Sequence, residues 1–120
     1  MPEASLLVIC NTSPLYYLHH VGRLELLESL YGEITVTTSV RAELAAGARA
    51  GETVPDIDRC PWIDTRQVGM PAHLRLMTDL GEGEASVIAL AAEQERPCLV
   101  ILDDRLGRKI AHHQGLRLTG

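Results

Sequence analysis

The chain has 120 residues, enough for one hydrophobic core and not for two. With 46% hydrophobic residues it lies outside the disordered class, and with 3% aromatics and no Phe its core must be aliphatic, which counts against an aromatic platform for stacking bases. A formal charge of −5 excludes a protein that simply coats nucleic acid by charge, although bound divalent cations would reverse the sign where they sit.

In chain order, Ser5–Cys10 is a continuous apolar run that reads as a strand buried on both faces. Glu3 and no basic residue precede it, unlike a signal peptide, and no stretch approaches the roughly 20 apolar residues that span a bilayer. A cytoplasmic protein without a membrane partner is expected. Asn11–Thr12–Ser13–Pro14 follows, with Ser13 expected to cap a helix over Leu15–His20 and Pro14 at its first position. Gly22 breaks that helix, and Arg23–Leu30 makes another with Leu24, Leu27 and Leu30 inward. Ile34–Thr37 is short and β-branched, a second strand. Thr38 or Ser39 caps a helix to about Ala45, with Val40 and Leu44 inward. Gly47–Pro61 has no clear period and is expected to be irregular, and Trp62–Thr65 reads as a minor or edge strand.

Ala72–Thr78 reads as a short helix, and Leu80–Gly81–Glu82–Gly83 opens a longer one running to about Glu95. Pro97 stops it and admits Cys98–Leu102, an apolar run read as the central strand, which ends on Asp103–Asp104. A basic helix is expected over Arg105–Gly115, and a last strand over Leu116–Leu118. This alternation predicts a mainly parallel central sheet covered by helices on both sides, a three-layer α/β/α sandwich formed by a single domain over residues 1–120. Cys10, Cys60 and Cys98 contain no C-x-x-C pair, and two of them lie in strand-like runs. They read as buried thiols of a reducing compartment rather than as a disulfide.

Several acids occupy positions that a solvated surface would not select. Glu84 shares a helix face with Val87, Ile88 and Ala91, the stripe that must meet the sheet. A buried carboxylate there costs several kcal/mol, of the order of about 3–5, unless paired or metal-bound. Alternatively, a first-turn acid gains about 0.3–1 kcal/mol from the helix dipole. Glu43 borders the apolar face of Val40 and Leu44, or is a solvated edge acid. Asp103 and Asp104 follow a buried strand directly, where α/β folds keep their sites; helix capping explains one of them and not both. Asn11 ends the other buried strand and offers an amide oxygen, or else forms an Asx turn.

An oxygen-rich set at strand ends, with no Cys or His partner, suits Mg²⁺ or Mn²⁺ rather than Zn²⁺. Such an ion lowers the pKa of a water and stabilises charge on a phosphoryl oxygen, so the expected chemistry is phosphodiester hydrolysis. Arg105, Arg108 and Lys109 follow the acid pair and either contact a phosphate backbone or complement a helix dipole. His19–His20, His73 and His112–His113 lack i,i+4 zinc spacing and read as surface or rim residues. Gly81-x-Gly83 lacks the third glycine and preceding strand of a dinucleotide fingerprint.

Val8–Ile9–Cys10–Asn11–Thr12–Ser13–Pro14–Leu15 with Gly22–Arg23–Leu24 resembles the opening of a PIN domain. Val40–Arg41–Ala42–Glu43–Leu44 resembles its second motif, and Leu80–Gly81–Glu82–Gly83–Glu84–Ala85 with Ile88–Ala89–Leu90–Ala91 its third. Leu102–Asp103–Asp104–Arg105 with Gly107–Arg108 and Ala111 resembles the fourth. The resemblance is nearest to the prokaryotic branch of VapC-type toxins. It implies a PIN-like, Rossmann-like fold and a Mg²⁺- or Mn²⁺-dependent endoribonuclease, the toxin of a toxin–antitoxin pair, with an RNA substrate, an antitoxin partner and a homodimer.

The family's catalytic and metal positions carry over to Asn11, Glu43, Glu84, Asp103 and Asp104, with Asp104 the better match to the fourth acid. Thr12 and Ser13 match positions that help hold metal or phosphate. Three departures stand out: Asn11 replaces an acid, Glu84 replaces the more usual Asp, and the chain ends at Gly120 where relatives continue with further sheet-covering structure. These departures motivate an alternative, a weak or non-catalytic PIN-like module that binds RNA or a protein partner. A receiver-like phosphoacceptor domain is more distant, because Lys109 falls on an expected helix rather than at a strand end.

Overall fold

The computed structural model of the chain describes residues 6–69, 81–94 and 97–102, and the backbone of 117–119. Branched aliphatic residues drive the strands: β1 is Leu7–Cys10, β2 Ile34–Thr37, β3 Ile63–Arg66, β4 Cys98–Ile101 and β5 Arg117–Thr119. They form one parallel sheet in the order β3-β2-β1-β4-β5. Successive side chains on a strand point to opposite faces, and all four residues of β1 and of β2 are buried. Both faces of the sheet centre are therefore covered, as expected for an all-parallel sheet, and the fold is a three-layer α/β/α sandwich. The central strand is β1, whereas the run after Pro97 lies one position out as β4. Charged Asp64 and Arg66 mark β3 as the strand at one end of the order.

Four helices are described: α1 (Thr12–His20), α2 (Leu26–Tyr31), α3 (Thr38–Arg49) and α4 (Glu82–Ala92). α4 packs across β2, β1 and β4, and α3 packs against α4, β2 and β3. The faces expected for α3 and α4 are the ones buried. Val40 and Leu44 are inside, as are Val87, Ile88 and Ala91.

The boundaries differ from the sequence expectation in instructive ways. α1 starts at Thr12, with Asn11 as its N-cap, so Ser13 is not the cap and Pro14 sits at the third helical position. Proline is tolerated there because the first four N–H groups of a helix have no intrahelical acceptor to lose. α2 begins three residues late, after a turn, and leaves Leu30 69% exposed while Leu27 is buried. α3 is capped by Thr37, the last residue of β2, and continues four residues past Ala45, whose run of small residues hid the helical period. Within the stretch expected to be irregular, Ile57–Arg59 forms a 3₁₀ turn that buries Ile57. Arg41 reaches from α3 to Asp58 within this turn and to Thr65 of β3. The helices expected over Ala72–Thr78 and Arg105–Gly115 lie outside the described residues. α4 ends at Ala92, three residues before the expected Glu95.

One buried polar chain ties β2 to α4. Val40 N–H donates to Thr37 Oγ1 at 3.1 Å, and Thr37 Oγ1 lies 2.6 Å from Ser86 Oγ. Ser86 Oγ donates to the carbonyl of Gly83 at 2.6 Å. Each hydroxyl has a single proton, so Thr37 must donate to Ser86, and the direction of the whole chain is set. Thr37 is 0% and Ser86 1% exposed, so neither can exchange its partner for water. Thr37→Val removes the cap acceptor of the buried Val40 N–H and one of the two hydrogen bonds of Ser86, and is expected to cost about 2 kcal/mol in urea unfolding. Thr37→Ser keeps the hydroxyl and should lose clearly less; equal losses would mean that the methyl group, not the polar chain, matters at this position.

Cys10 and Cys98 are buried and Cys60 is half-buried, all three as free thiols. Burial pushes the Cys10 thiol far up, so it is held as the unreactive neutral form. A maleimide should label native protein at Cys60 and reach Cys10 and Cys98 only after unfolding, as read by mass spectrometry of digested protein. Labelling of native Cys10 at the rate of Cys60 would contradict the buried placement of β1.

Candidate functional site

The strand order reverses at β1: β2 and β3 lie on one side of it, and β4 and β5 on the other. In open α/β sheets the crevice beyond the carboxyl ends of the strands at such a switch point is where ligands bind. Asn11 stands at that point. It follows β1 directly, and its N–H donates to the carbonyl of Ile101 at 3.0 Å, the last residue of β4. Although Asn11 holds the N-cap position of α1, its side chain makes no capping bond, so the Asx-turn alternative is not realised. The residue is 2% exposed, and its Oδ1 is buried and accepts no hydrogen bond among the described residues. An unmet amide acceptor costs about 1–3 kcal/mol, so its retention at a strand end marks a place where an external donor or cation would be stabilised.

Glu43 comes from the second turn of α3 and leans towards the start of two other helices. Its Oε1 accepts from Thr12 Oγ1 of α1 at 2.5 Å, and its Oε2 accepts from the Gly83 N–H of α4 at 3.2 Å. The carboxylate thus sits against a helix N-terminus, where the unpaired N–H groups and the dipole favour an anion. Glycine at 83 leaves room for this approach, because a Cβ there would displace the Glu43 carboxylate from its present position. Glu43 is exposed as a residue, in keeping with its place at the border of the apolar face.

Glu84 is the third residue of α4 and is half-buried, with Oε2 shielded from solvent. It heads the buried stripe of Val87, Ile88 and Ala91, as its spacing required. A Cβ at position 81 would meet Glu84 Oε1 at 2.7 Å, so Gly81, the N-cap of α4, leaves room for this carboxylate. Gly81-x-Gly83 is therefore the clearance for two carboxylates rather than a phosphate loop.

Thr12 and Ser13, both half-buried, line a groove of about 210 Å³ together with Tyr16, Tyr17, Glu43 and Glu52. A second groove, of about 400 Å³, lies on the other side of Glu43 and is lined by Thr38, Ser39, Ala42, Ala46 and Glu82. Asp103, Asp104, Arg105 and Arg108 lie outside the described residues; in sequence, Asp103 follows Leu102 at the end of β4. Among the described residues, no group of three or more His, Cys, Asp or Glu side chains gathers closely enough to hold a metal.

The donors that the described part does bring to this end are the amide oxygen of Asn11, the carboxylates of Glu43 and Glu84, and two hydroxyls. All are hard oxygen donors, and with the orphaned Asn11 Oδ1 they fit a divalent cation of the Mg²⁺ class and not a thiolate- or imidazole-seeking one. Sequence reasoning missed the roles of Thr37, Gly83 and Ser86, whose signal is a small or hydroxyl residue on an otherwise aliphatic face. It also missed Tyr16 and Tyr17, which stand four residues after Thr12 and Ser13 and so one turn along the same helix face.

No curated protein matches the chain. The family model DUF3368, described as a PIN domain, matches residues 7–120. PIN domains are typically nucleases and generally use divalent metals. That match takes in every strand and helix described above, and the chain belongs to the PIN domain family.

Proposed function

We propose that the chain is a Mg²⁺- or Mn²⁺-dependent endoribonuclease of the VapC-like branch, acting as the toxin of a toxin–antitoxin pair. The observation that carries this reading is the unmet, buried Oδ1 of Asn11 at the switch point, with Glu43 and Glu84 presented by the two helices that start beside it. Asp103 and Asp104 continue the chain from β4 and would complete the set. When bound there, the ion would supply an activated water and a counter-charge for the phosphoryl oxygen. Asn11, Glu43, Glu84, Asp103 and Asp104 would hold it. Ser13 would donate a hydroxyl hydrogen bond to the phosphate, Thr12, whose proton is held by Glu43, would keep that carboxylate in place, and Arg105 and Arg108 would balance the charge of the RNA backbone.

The partner side of the proposal has its own support. Val21, Leu26 and Leu30 are 67%, 43% and 69% exposed on and around α2, a run of large apolar side chains for which a homodimer or an antitoxin would be the expected cover. No described helix is long and apolar enough to cross a membrane. The second reading, a binding module without turnover, is favoured by one residue, Asn11, because a neutral amide is a weaker ligand for a hard cation than a carboxylate.

A structured RNA incubated with Mg²⁺ or Mn²⁺ should be cut, and EDTA should stop the reaction. Glu84→Gln and Asp104→Ala are each expected to slow cleavage by at least about 100-fold, since even outer-shell partners of a metal are worth 10–100-fold. Cleavage by Asp104→Ala at the wild-type rate would remove Asp104 from the site, and absence of cleavage by wild type would leave the binding-module reading.

Asn11→Asp separates the two readings without an activity assay. A buried carboxylate at this position should lower the melting temperature in EDTA and raise the gain in melting temperature on adding Mn²⁺ above that of wild type. An Asn11→Asp protein that is equally stable with and without Mn²⁺ would place the cation elsewhere.

A further inference from the structure

The groove between α1 and α3 contains more than Thr12, Ser13 and Glu43 need. Tyr17 stands at its rim with 57% of its surface exposed, a large cost-free contact area left open to solvent. Tyr16 beside it is held from two directions. Its ring packs on His20 with centroids 4.3 Å apart, and meets Tyr17 edge-on at 6.1 Å. Its hydroxyl donates to Glu52 Oε2 at 3.3 Å across the groove. Two of the chain's three tyrosines are thus adjacent at one opening, in a protein with only four aromatic residues from Phe, Tyr and Trp. Scarce aromatics count against a broad stacking platform, whereas two adjacent tyrosines at one opening suit a single base.

The rest of the lining decides which part of a nucleotide would enter. Among the described residues it contains Glu43 and Glu52 and neither Lys nor Arg, which favours a group rich in N–H donors. At about 210 Å³ the groove is smaller than the roughly 300 Å³ at which drug-sized sites begin, a scale suited to one flat ring system. Glu43 lies in its wall and also in the wall of the second groove, where Thr38 and Ser39 offer hydroxyls to a sugar–phosphate chain.

We propose that the Tyr16–Tyr17–Glu52 groove seats one base of a single-stranded RNA substrate, stacked on Tyr17 and read by Glu52, with guanine preferred. Guanine presents two parallel N–H donors on its Watson–Crick edge, whereas uracil presents one, and a carboxylate can only accept. Stacking supplies sequence-tolerant affinity and Glu52 the preference. The proposal rests on the ribonuclease reading for the identity of its ligand, and it assigns Tyr17 and Glu52 to binding and not to the reaction.

The test uses the full chain carrying Glu84→Gln to prevent turnover, and anisotropy of fluorescein-labelled RNA hexamers in Mg²⁺, one all uridine and one with a single central guanosine. The guanosine RNA should bind at least about fivefold more tightly, and Glu52→Gln should abolish that difference while leaving all-uridine binding unchanged. Tyr17→Ala should weaken both RNAs about tenfold, and Tyr17→Trp should restore them where Tyr17→Leu does not. Equal affinity of the parent and Tyr17→Ala overturns the proposal, as does rescue by Leu equal to that by Trp, or a guanosine preference that survives Glu52→Gln. Wild-type cleavage together with unchanged binding by Tyr17→Ala would remove the base seat and leave the nuclease standing. Tyr17-dependent, guanosine-selective binding without cleavage by wild type would do the reverse.

Discussion

The carboxylate of Glu43 is the junction on which the rest of this end of the molecule depends. It joins three helices that are remote in sequence, through Thr12 at the start of α1, its own place in α3, and the Gly83 N–H at the start of α4. Charge-assisted hydrogen bonds of this kind are roughly twice as strong as neutral ones, and this carboxylate also meets a helix N-terminus, where the macrodipole adds to the attraction. Gly83 is gripped from its other side as well, because its carbonyl accepts from Ser86, which is itself bonded to Thr37. Removing any one of these groups would free the first turn of α4 to shift, and Glu84 with it. The contacts of its neighbours thus help to place Glu84.

The same junction explains the two glycines of the Leu80–Glu84 motif. A carboxylate can approach a helix N-terminus closely only where no Cβ stands in the way, and positions 81 and 83 are the two where a Cβ would collide with Glu84 and Glu43. Their chemistry is that of space rather than of backbone freedom. Around them, an acidic first turn on α4, with Glu82 and Glu84, adds negative charge beside Glu43. Hydrogen bonds and the helix dipole offset part of the repulsion, and a divalent cation would offset the remainder, which is why the proposed function places one there.

Glu43 also divides the surface. On one side lies the groove of Tyr16, Tyr17 and Glu52, and on the other that of Thr38, Ser39 and Glu82. The PIN domain family supplies the nuclease class; the asymmetry of the two grooves, aromatic on one side and hydroxylic on the other, is what this particular chain adds to it.

The strands, the buried faces of α3 and α4, and the parallel α/β class are legible along the chain, because apolar periodicity and β-branching are local properties that survive without a partner. The same pattern also singled out Asn11, Glu43 and Glu84, since an acid or amide beside an apolar stripe is anomalous wherever the stripe packs. The caps were misplaced, at Ser13 instead of Asn11 and at Ser39 or Thr38 instead of Thr37, because several hydroxyl and amide residues in a row have equal capping propensity and tertiary contacts choose among them. The central place of β1, the pairing of Thr37 with Ser86 across 49 residues, and the sharing of one carboxylate by Thr12 and Gly83 emerge only from the folded arrangement. These are long-range choices: each depends on how the helices cross the sheet, and no local pattern in the chain encodes that crossing.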